Sequence, residues 1–191
     1  LLDEDIMQTE EFKRVADLCV NCKMCALQCP SLVNVPKLML EARAEYVRHK
    51  GLTRPQFVLT RSEWMSRFGS SLAPLANRFL ALGWFRKVLE LASGLDHRRP
   101  MPAFDFGSNV KKLQRYLRRQ APLAKPIDKV AYFVDLYAAY NDHELGKAVV
   151  DVLRHNQVEV IVPPQVGVGM PAISYGDLPY ARKAMDYNIR H

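Results

Sequence analysis

The sequence predicts an α+β protein with a helical first part and a βαβ-containing second part. All four cysteines fall between positions 19 and 29, within a region of helical patterning. Beyond Pro126 the pattern changes to two short apolar runs rich in β-branched residues, with an amphipathic helix between them. That order is typical of a parallel βαβ unit, whose crossover should be right-handed.

The bulk composition indicates a globular chain with a basic excess. The chain has 191 residues, 49% of them hydrophobic, and a net charge of +7. No apolar run reaches the roughly 18 residues that a membrane span needs. The basic residues crowd one stretch, namely Arg98, Arg99, Lys111, Lys112, Arg115, Arg118 and Arg119. A solvated helix face is the favoured interpretation, and nucleic acid is the least favoured partner because no stacking aromatic pattern accompanies the charges.

Two helices are predicted around the cysteines. Residues 9–18 read as a short helix with Thr9 as its N-cap. Residues 36–50 read as a second helix, because Pro36 suits a first turn and Gly51 suits the position just after a helix end.

Residues 52–120 are predicted to be helical throughout. Leu72–Leu91 is rich in apolar residues, but Arg78, Arg86 and Lys87 interrupt it. A helix on a membrane surface and a helix packed in a core both fit this pattern, and the packed core is favoured. Ser108 is expected to open a short basic helix.

The second part begins with a predicted strand over Val130–Leu136. Asn141 or Asp142 should cap the helix that follows, and Val158–Val162 should form the second strand. A loop over residues 163–176 and a last helix opened by Asp177 complete the prediction.

The cysteines carry the clearest chemical signal. Cys19, Cys22, Cys25 and Cys29, followed by Pro30, have the spacing C-x2-C-x2-C-x3-C-P of bacterial ferredoxins, which hold [4Fe–4S] clusters. A short loop with this spacing can offer each thiolate to a different iron, while backbone N–H groups turn inward to the sulfides. Zinc is a weak alternative, since structural zinc sites pair two C-x2-C hairpins or add histidines.

The role of Cys29 stays open at this point. In ferredoxins with two clusters, the cysteine before the proline binds the other cluster. Cys29 therefore either closes one cluster with the other three cysteines or reaches a second cluster. A second cluster would need a companion motif upstream of Leu1 or on a partner, and we expect it upstream.

The segment LCVNCKMCALQCPSLVNVPKLMLE, residues 18–41, resembles the second cluster motif of a known family. That family includes the iron–sulfur C subunit of anaerobic glycerol-3-phosphate dehydrogenase and the iron–sulfur modules of FAD-linked oxidases. The segment RFGSSLAPLANRFL, residues 67–80, resembles the helical connector of that family. Residues 129–188 resemble its cysteine-rich CCG domain, which heterodisulfide reductases share.

The resemblance implies three domains: a ferredoxin-like iron–sulfur domain over 1–51, a helical connector over 52–125 and a CCG-like α/β half-domain over 126–191. Leu136, Gly167 and Val168 stand where the CCG domain has cysteines. The half-domain is therefore expected to be degenerate, truncated and without a cluster.

The resemblance also implies electron transfer through a [4Fe–4S] cluster, held by Cys19, Cys22, Cys25 and Cys29. The partner would be a domain or subunit that carries FAD and oxidises glycerol 3-phosphate or a small hydroxy acid, and a further partner would be a peripheral membrane or quinone-linked acceptor. No catalytic constellation appears in the chain itself. The alternatives are a heterodisulfide-reductase-like subunit and a docking module with a structural cluster. The expected location is the cytoplasm. If the protein is a peripheral membrane protein, it is expected at the inner face of the membrane.

Overall fold

The chain is largely helical in a computed structural model, which describes residues 4–191. Its elements, in chain order, are α1 (Glu4–Met7), α2 (Glu10–Asp17), α3 (Met24–Gln28), α4 (Val35–Lys50), α5 (Arg54–Thr60), α6 (Ser62–Ser71), α7 (Ala73–Ala81), α8 (Gly83–Ser93), α9 (Asn109–Arg119), β1 (Asp128–Ala131), α10 (Leu136–Tyr140), α11 (His143–His155), β2 (Val158–Ile161), α12 (Met170–Tyr175) and α13 (Leu178–Arg190). This mixture confirms the predicted α+β class.

The two strands form a parallel two-stranded sheet. Asp128 pairs with Val158 and Ala131 with Ile161, so the register is continuous over both strands. Since α10 and α11 connect the strands, the predicted βαβ unit is present.

The chain divides into two compact units, each built from segments that are not contiguous in sequence. The first, here the cysteine unit, comprises the residues up to Arg61 together with Gly169–Met185. The second, here the sheet unit, comprises Ser62–Val168 together with Asp186–His191. The domain boundaries near residues 51 and 125 stay predictions, because a compact unit and an evolutionary domain are different divisions of a chain.

The cysteine unit begins with the capped helices that the sequence predicts. The Thr9 side chain accepts a hydrogen bond from Phe12 N at 3.2 Å and so caps α2. Asn34 caps α4, and Gly51 ends it with a φ of 78°. The buried Tyr46 of α4 donates its hydroxyl hydrogen to Glu10 of α2. That bond raises the pKa of Tyr46 to about 12.

A C-terminal segment completes the cysteine unit. Helix α12 packs against α4 and α5. Arg61, just after α5, pairs with Asp177 at 2.8 Å and lies 3.8 Å from the ring centre of Tyr180. The loop predicted over residues 163–176 therefore contains a helix, which is stabilised by packing on α4 and α5.

The sheet unit holds the main hydrophobic core. Its buried members share the space between α9, α10, α11 and the sheet, and they are Leu113, Val134, Ala138, Ala139, Tyr140, Val150, Val160 and Val162. Asp142 caps α11 by accepting from Leu145 N at 3.0 Å, as predicted. The basic residues of α9 are exposed while Leu113 is buried, which confirms the predicted solvated face for this helix.

The first predicted strand, Val130–Leu136, is too long. The strand ends at Ala131, and Asp135 caps helix α10 by accepting from Tyr137 N and Ala138 N. A side-chain cap satisfies the first amides of a helix, so the apolar run after Ala131 leaves the sheet and becomes a loop and a helix.

The apolar stretch Leu72–Leu91 is two helices, since α7 ends at Ala81 and α8 begins at Gly83. The favoured interpretation of this stretch as packed core is wrong, because Trp84 is 59% exposed and Leu91 82% exposed. Among the described residues, no helix is both long and apolar enough to cross a bilayer.

Candidate metal centre

The four cysteines lie on one short segment between α2 and α4. Cys19 follows the end of α2, Cys22 lies in the loop, Cys25 lies within α3 and Cys29 is the residue at its C-terminal end. All four are free thiols; Cys22 and Cys25 are exposed, and Cys19 and Cys29 are half-buried. The segment thus presents four soft sulfur donors at the surface without a disulfide.

The backbone of this segment is unusual for residues other than glycine. Asn21, Lys23 and Leu32 have φ angles of 55°, 63° and 55°. This left-handed conformation is uncommon outside glycine, and strain of this kind costs of order 1 kcal/mol per residue. Asparagine adopts this conformation more readily than other residues, so Lys23 and Leu32 are the strained members, and strain of this kind is frequent at ligand-binding sites.

The amides of the cysteine loop also lack acceptors. Within the described part of the chain, the backbone N–H groups of residues 20–25 donate no hydrogen bond. Consecutive N–H groups in backbones that alternate in hand form concave anion sites, and iron–sulfur clusters use such sites. Soft thiols and free amides together fit a sulfide-containing cluster.

Arg43 of α4 lies directly behind this loop, and sequence reasoning missed it. The side chain is buried at 8% exposure. Its Nη2 donates to the Cys19 carbonyl at 2.6 Å and to the Ala16 carbonyl, and its Nη1 donates to the Ser174 carbonyl at 2.9 Å. The spacing of residues in the sequence could have identified it. Arg43 lies three residues before the buried Tyr46, which places both side chains on the inner face of α4.

Another group of potential metal ligands lies at the end of α8. In the portion that the structure covers, Glu90, Asp96 and His97 are the one set of three whose ligand atoms lie within 4.8 Å of one another. Arg98 already binds both oxygens of Asp96 and holds the pKa of that carboxyl at about 2. His97 in turn contacts Glu90 at 2.6 Å. These contacts explain why Glu90, Asp96 and His97 lie close together: they form a salt-bridged turn.

Of the three positions that the resemblance aligns with CCG cysteines, Leu136 contributes to packing and the other two lie in a loop. Leu136 packs against the core of the sheet unit. Gly167 and Val168 lie in the loop before α12, and Val168 is 43% exposed. Glu63 of α6 faces this loop, with Oε2 3.0 Å from where a Cβ on Gly167 would be. Sequence reasoning did not single out Glu63.

Comparison with known proteins places the chain among oxidoreductase relatives. No family model matches it, and no solved structure matches it. It is 33% identical over 164 residues to the C subunit of anaerobic glycerol-3-phosphate dehydrogenase of Escherichia coli, both strain K12 and O157:H7. The match covers 84% of this chain and 40% of either relative, so the chain spans less than half the length of the curated relatives it matches. The predicted resemblance is thereby confirmed, and the chain is homologous, over most of its length, to the C subunit of anaerobic glycerol-3-phosphate dehydrogenase.

Proposed function

We propose that this chain holds a [4Fe–4S] cluster in a ferredoxin-like fold and passes single electrons within a flavin-linked dehydrogenase. The observation that carries the proposal is the loop itself, with four thiols next to the acceptor-free amides of residues 20–25. When bound, such a cluster supplies reversible one-electron chemistry.

The residues of the loop have separate tasks in this proposal. Cys19, Cys22 and Cys25 bind iron through their thiolates, and the amides of residues 20–25 donate to sulfides. Hydrogen bonds of that kind help to set the reduction potential. Cys29, at the C-terminal end of α3, is proposed to reach a second cluster whose other ligands lie outside this chain.

The proposed electron source is a partner that carries FAD. The matched relatives are subunits of a dehydrogenase named for glycerol 3-phosphate, which favours that substrate over other small hydroxy compounds. Hydride chemistry would belong to the flavin, and this chain would receive electrons one at a time. A heterodisulfide-reductase-like role is disfavoured, because Leu136 and Gly167 offer no thiolate and Glu63 faces the loop at Gly167.

The proposed location is the cytoplasm, where free thiols persist, with the sheet unit resting on the inner face of the membrane. Exposed aromatic residues support this, since Trp64 and Phe68 stack at 6.1 Å and Trp84 is 59% exposed. Arg67 and Lys87 are exposed on the same helices. Aromatic and basic side chains together favour an interfacial position and contact with a quinone-linked acceptor. Sedimentation with phosphatidylglycerol vesicles tests this, and binding should fall in Trp84→Ala.

Iron and sulfide analysis of anaerobically purified protein tests the cluster. We expect broad visible absorption and an electron paramagnetic resonance signal after reduction. Cys22→Ser should lose the iron, whereas Ser31→Ala, a change in the same segment, should keep it. Stoichiometric zinc without iron would contradict the proposal. A cluster that cannot be reduced by the flavin partner with glycerol 3-phosphate would favour a structural role.

The role of Cys29 is tested in a version of the protein long enough to include the companion motif. Cys29→Ser should then damage the second cluster more than the first. If the 191-residue chain instead holds one robust cluster that Cys29→Ser destroys, Cys29 binds the same cluster as the other three cysteines.

A further inference from the structure

Arg43 is a buried cation whose hydrogen-bond partners are all carbonyl oxygens. The Ala16 and Ser174 carbonyls belong to the last turns of α2 and α12, and the Cys19 carbonyl belongs to the cysteine loop. Carbonyls at helix C-termini lack intrahelical partners and carry partial negative charge. One planar guanidinium, with donors fixed in a fork, can bind several of them at once.

The charge of Arg43 is only partly balanced within the cysteine unit. The nearest carboxylate is that of Asp17, whose Oδ1 lies 3.9 Å from Nε and whose side chain is 39% exposed. Nε itself has no hydrogen-bond partner among the described residues. Asp17 is also shared with Lys13. Asp17 therefore offsets the charge of Arg43 only in part. The charge that remains creates a positive electrostatic potential behind the Cys19 loop.

The backbone at Arg43 is equally constrained. A Cβ on Gly176 would lie 2.7 Å from the carbonyl carbon and oxygen of Arg43, so the end of α12 sits directly on α4. Arg43 is therefore held from both sides: its side chain binds three carbonyls, and its main chain contacts Gly176. The C-terminal segment Gly169–Met185 takes part in placing the cysteine loop, although it is far from the loop in sequence.

We propose that Arg43 is a positioning residue that fixes Cys19 for the metal centre and, as a permanent cation behind the loop, raises the centre's reduction potential. This inference rests on the proposed [4Fe–4S] cluster. A cluster with thiolate ligands becomes more negative when it gains an electron. A fixed positive charge at close range and low dielectric stabilises the reduced form more than the oxidised form.

Three variants and a control separate the two roles. Arg43→Gln removes the charge and most of the donors, while Arg43→Lys keeps the charge but cannot bridge three carbonyls. Asp17→Asn leaves the donors of Nη1 and Nη2 in place and removes the neighbouring negative charge. Arg48→Gln is the control, since Arg48 lies on the same helix with a side chain 71% exposed.

Hydrogen exchange of the metal-free chain reports on positioning. In Arg43→Gln, exchange should rise about tenfold in residues 16–22 and 170–177 together, as expected for the loss of a charge-assisted hydrogen bond. Arg43→Lys should raise the exchange rate in both segments. Arg48→Gln should raise it in neither segment. Wild-type exchange rates in Arg43→Gln would overturn the positioning role.

Redox titration of the loaded protein reports on the charge. The midpoint potential should move negative in Arg43→Gln, stay near wild type in Arg43→Lys, move positive in Asp17→Asn and stay unchanged in Arg48→Gln. A wild-type midpoint in both Arg43→Gln and Asp17→Asn would overturn the electrostatic role. If the protein binds no iron even when the companion motif is present, the proposed function fails, whereas the exchange measurement still decides whether Arg43 positions the loop.

Discussion

Glu63 lies so close to Gly167 that a Cβ atom at position 167 would be 3.0 Å from Oε2 of Glu63. Burial raises the pKa of Glu63, and a hydrogen bond from the Gly167 backbone partly opposes that rise. The loop before α12 therefore leaves little space for a side chain at position 167. A cysteine at that position would contact the Glu63 carboxylate.

Gly167→Ala should lower the free energy of unfolding by about 1 kcal/mol at most, because the added methyl group would displace the carboxylate at the mobile end of the Glu63 side chain. In a Glu63→Ala background the same change should cost clearly less, since the two residues are in contact. Gly83→Ala is the matched control: a Cβ there meets nothing within 4 Å, and the change should be neutral or stabilising. Urea unfolding followed by circular dichroism measures all of these. Equal costs in both backgrounds would show that Glu63 does not limit the space.

Gly176→Ala and Gly51→Ala form a second pair. Both glycines have positive φ, 86° and 78°. Alanine is strained by about 1 kcal/mol at Gly176, which lies in the left-handed region, and by more at Gly51, whose ψ of −179° belongs to a region nearly restricted to glycine. Only Gly176 also faces backbone, 2.7 Å from Arg43, whereas Gly51 faces nothing within 4 Å. We expect Gly176→Ala to cost at least as much as Gly51→Ala in urea unfolding, because the contact with Arg43 adds about 1–3 kcal/mol to the smaller strain. A smaller cost for Gly176→Ala would mean that backbone strain alone determines the effect.

Asn109 is buried in the sheet unit and donates through Nδ2 to two carbonyls, Ala138 at 2.8 Å and His143 at 3.2 Å. Asn109→Ala should destabilise the protein by about 1–3 kcal/mol, because both carbonyls would lose their donor in a buried place. Asn141→Ala is the control, since Asn141 donates at 2.8 Å to the Ala103 carbonyl near the surface and should cost less. Thermal unfolding compares the two variants, and equal losses would argue against burial as the cause.

His143 should make stability depend on pH. Burial lowers its pKa, and the ammonium of Lys112, 3.0 Å from Nδ1, lowers it further; the Ala139 carbonyl and Asp105 only partly oppose this. The unfolded chain therefore binds more protons than the folded chain as the pH falls below 6.5. We expect the free energy of unfolding to decrease as the pH is lowered through this range.

His143→Gln should flatten that dependence, whereas His155→Gln, at the exposed end of the same helix, should not. Urea titrations at a series of pH values measure the slope. A slope unchanged by His143→Gln would place its origin in other groups.

Local structure near the cysteines could be predicted from the sequence, because it depends on neighbouring residues. Thr9, Pro36 and Gly51 mark helix ends through their own backbone and side-chain preferences, and the structure agrees. The cysteine spacing likewise identifies the candidate site without long-range information. The assignment of Cys29 to one cluster or another stays a prediction.

Features that depend on distant partners could not be predicted. The apolar run at Val130–Leu136 suits a strand, but Asp135 competes by capping a helix, and pattern alone does not show which of the two prevails. Trp84 follows a helical pattern that indicates an apolar face without showing what covers it. Arg43 reads as a surface charge until α12 is placed against α4.

The composition of the cysteine unit has a consequence for biosynthesis. Residues 62–168 emerge from the ribosome before Gly169–Met185, so this larger part of the sheet unit can fold while the cysteine unit still lacks its last segment. During that interval Arg43 has no Ser174 carbonyl to bind, and the turn after α2 is held by fewer bonds. Nascent chains would thus offer their thiols in a looser loop than finished ones. The order of translation delays the final shape of the cysteine loop until its most distant support has been synthesised.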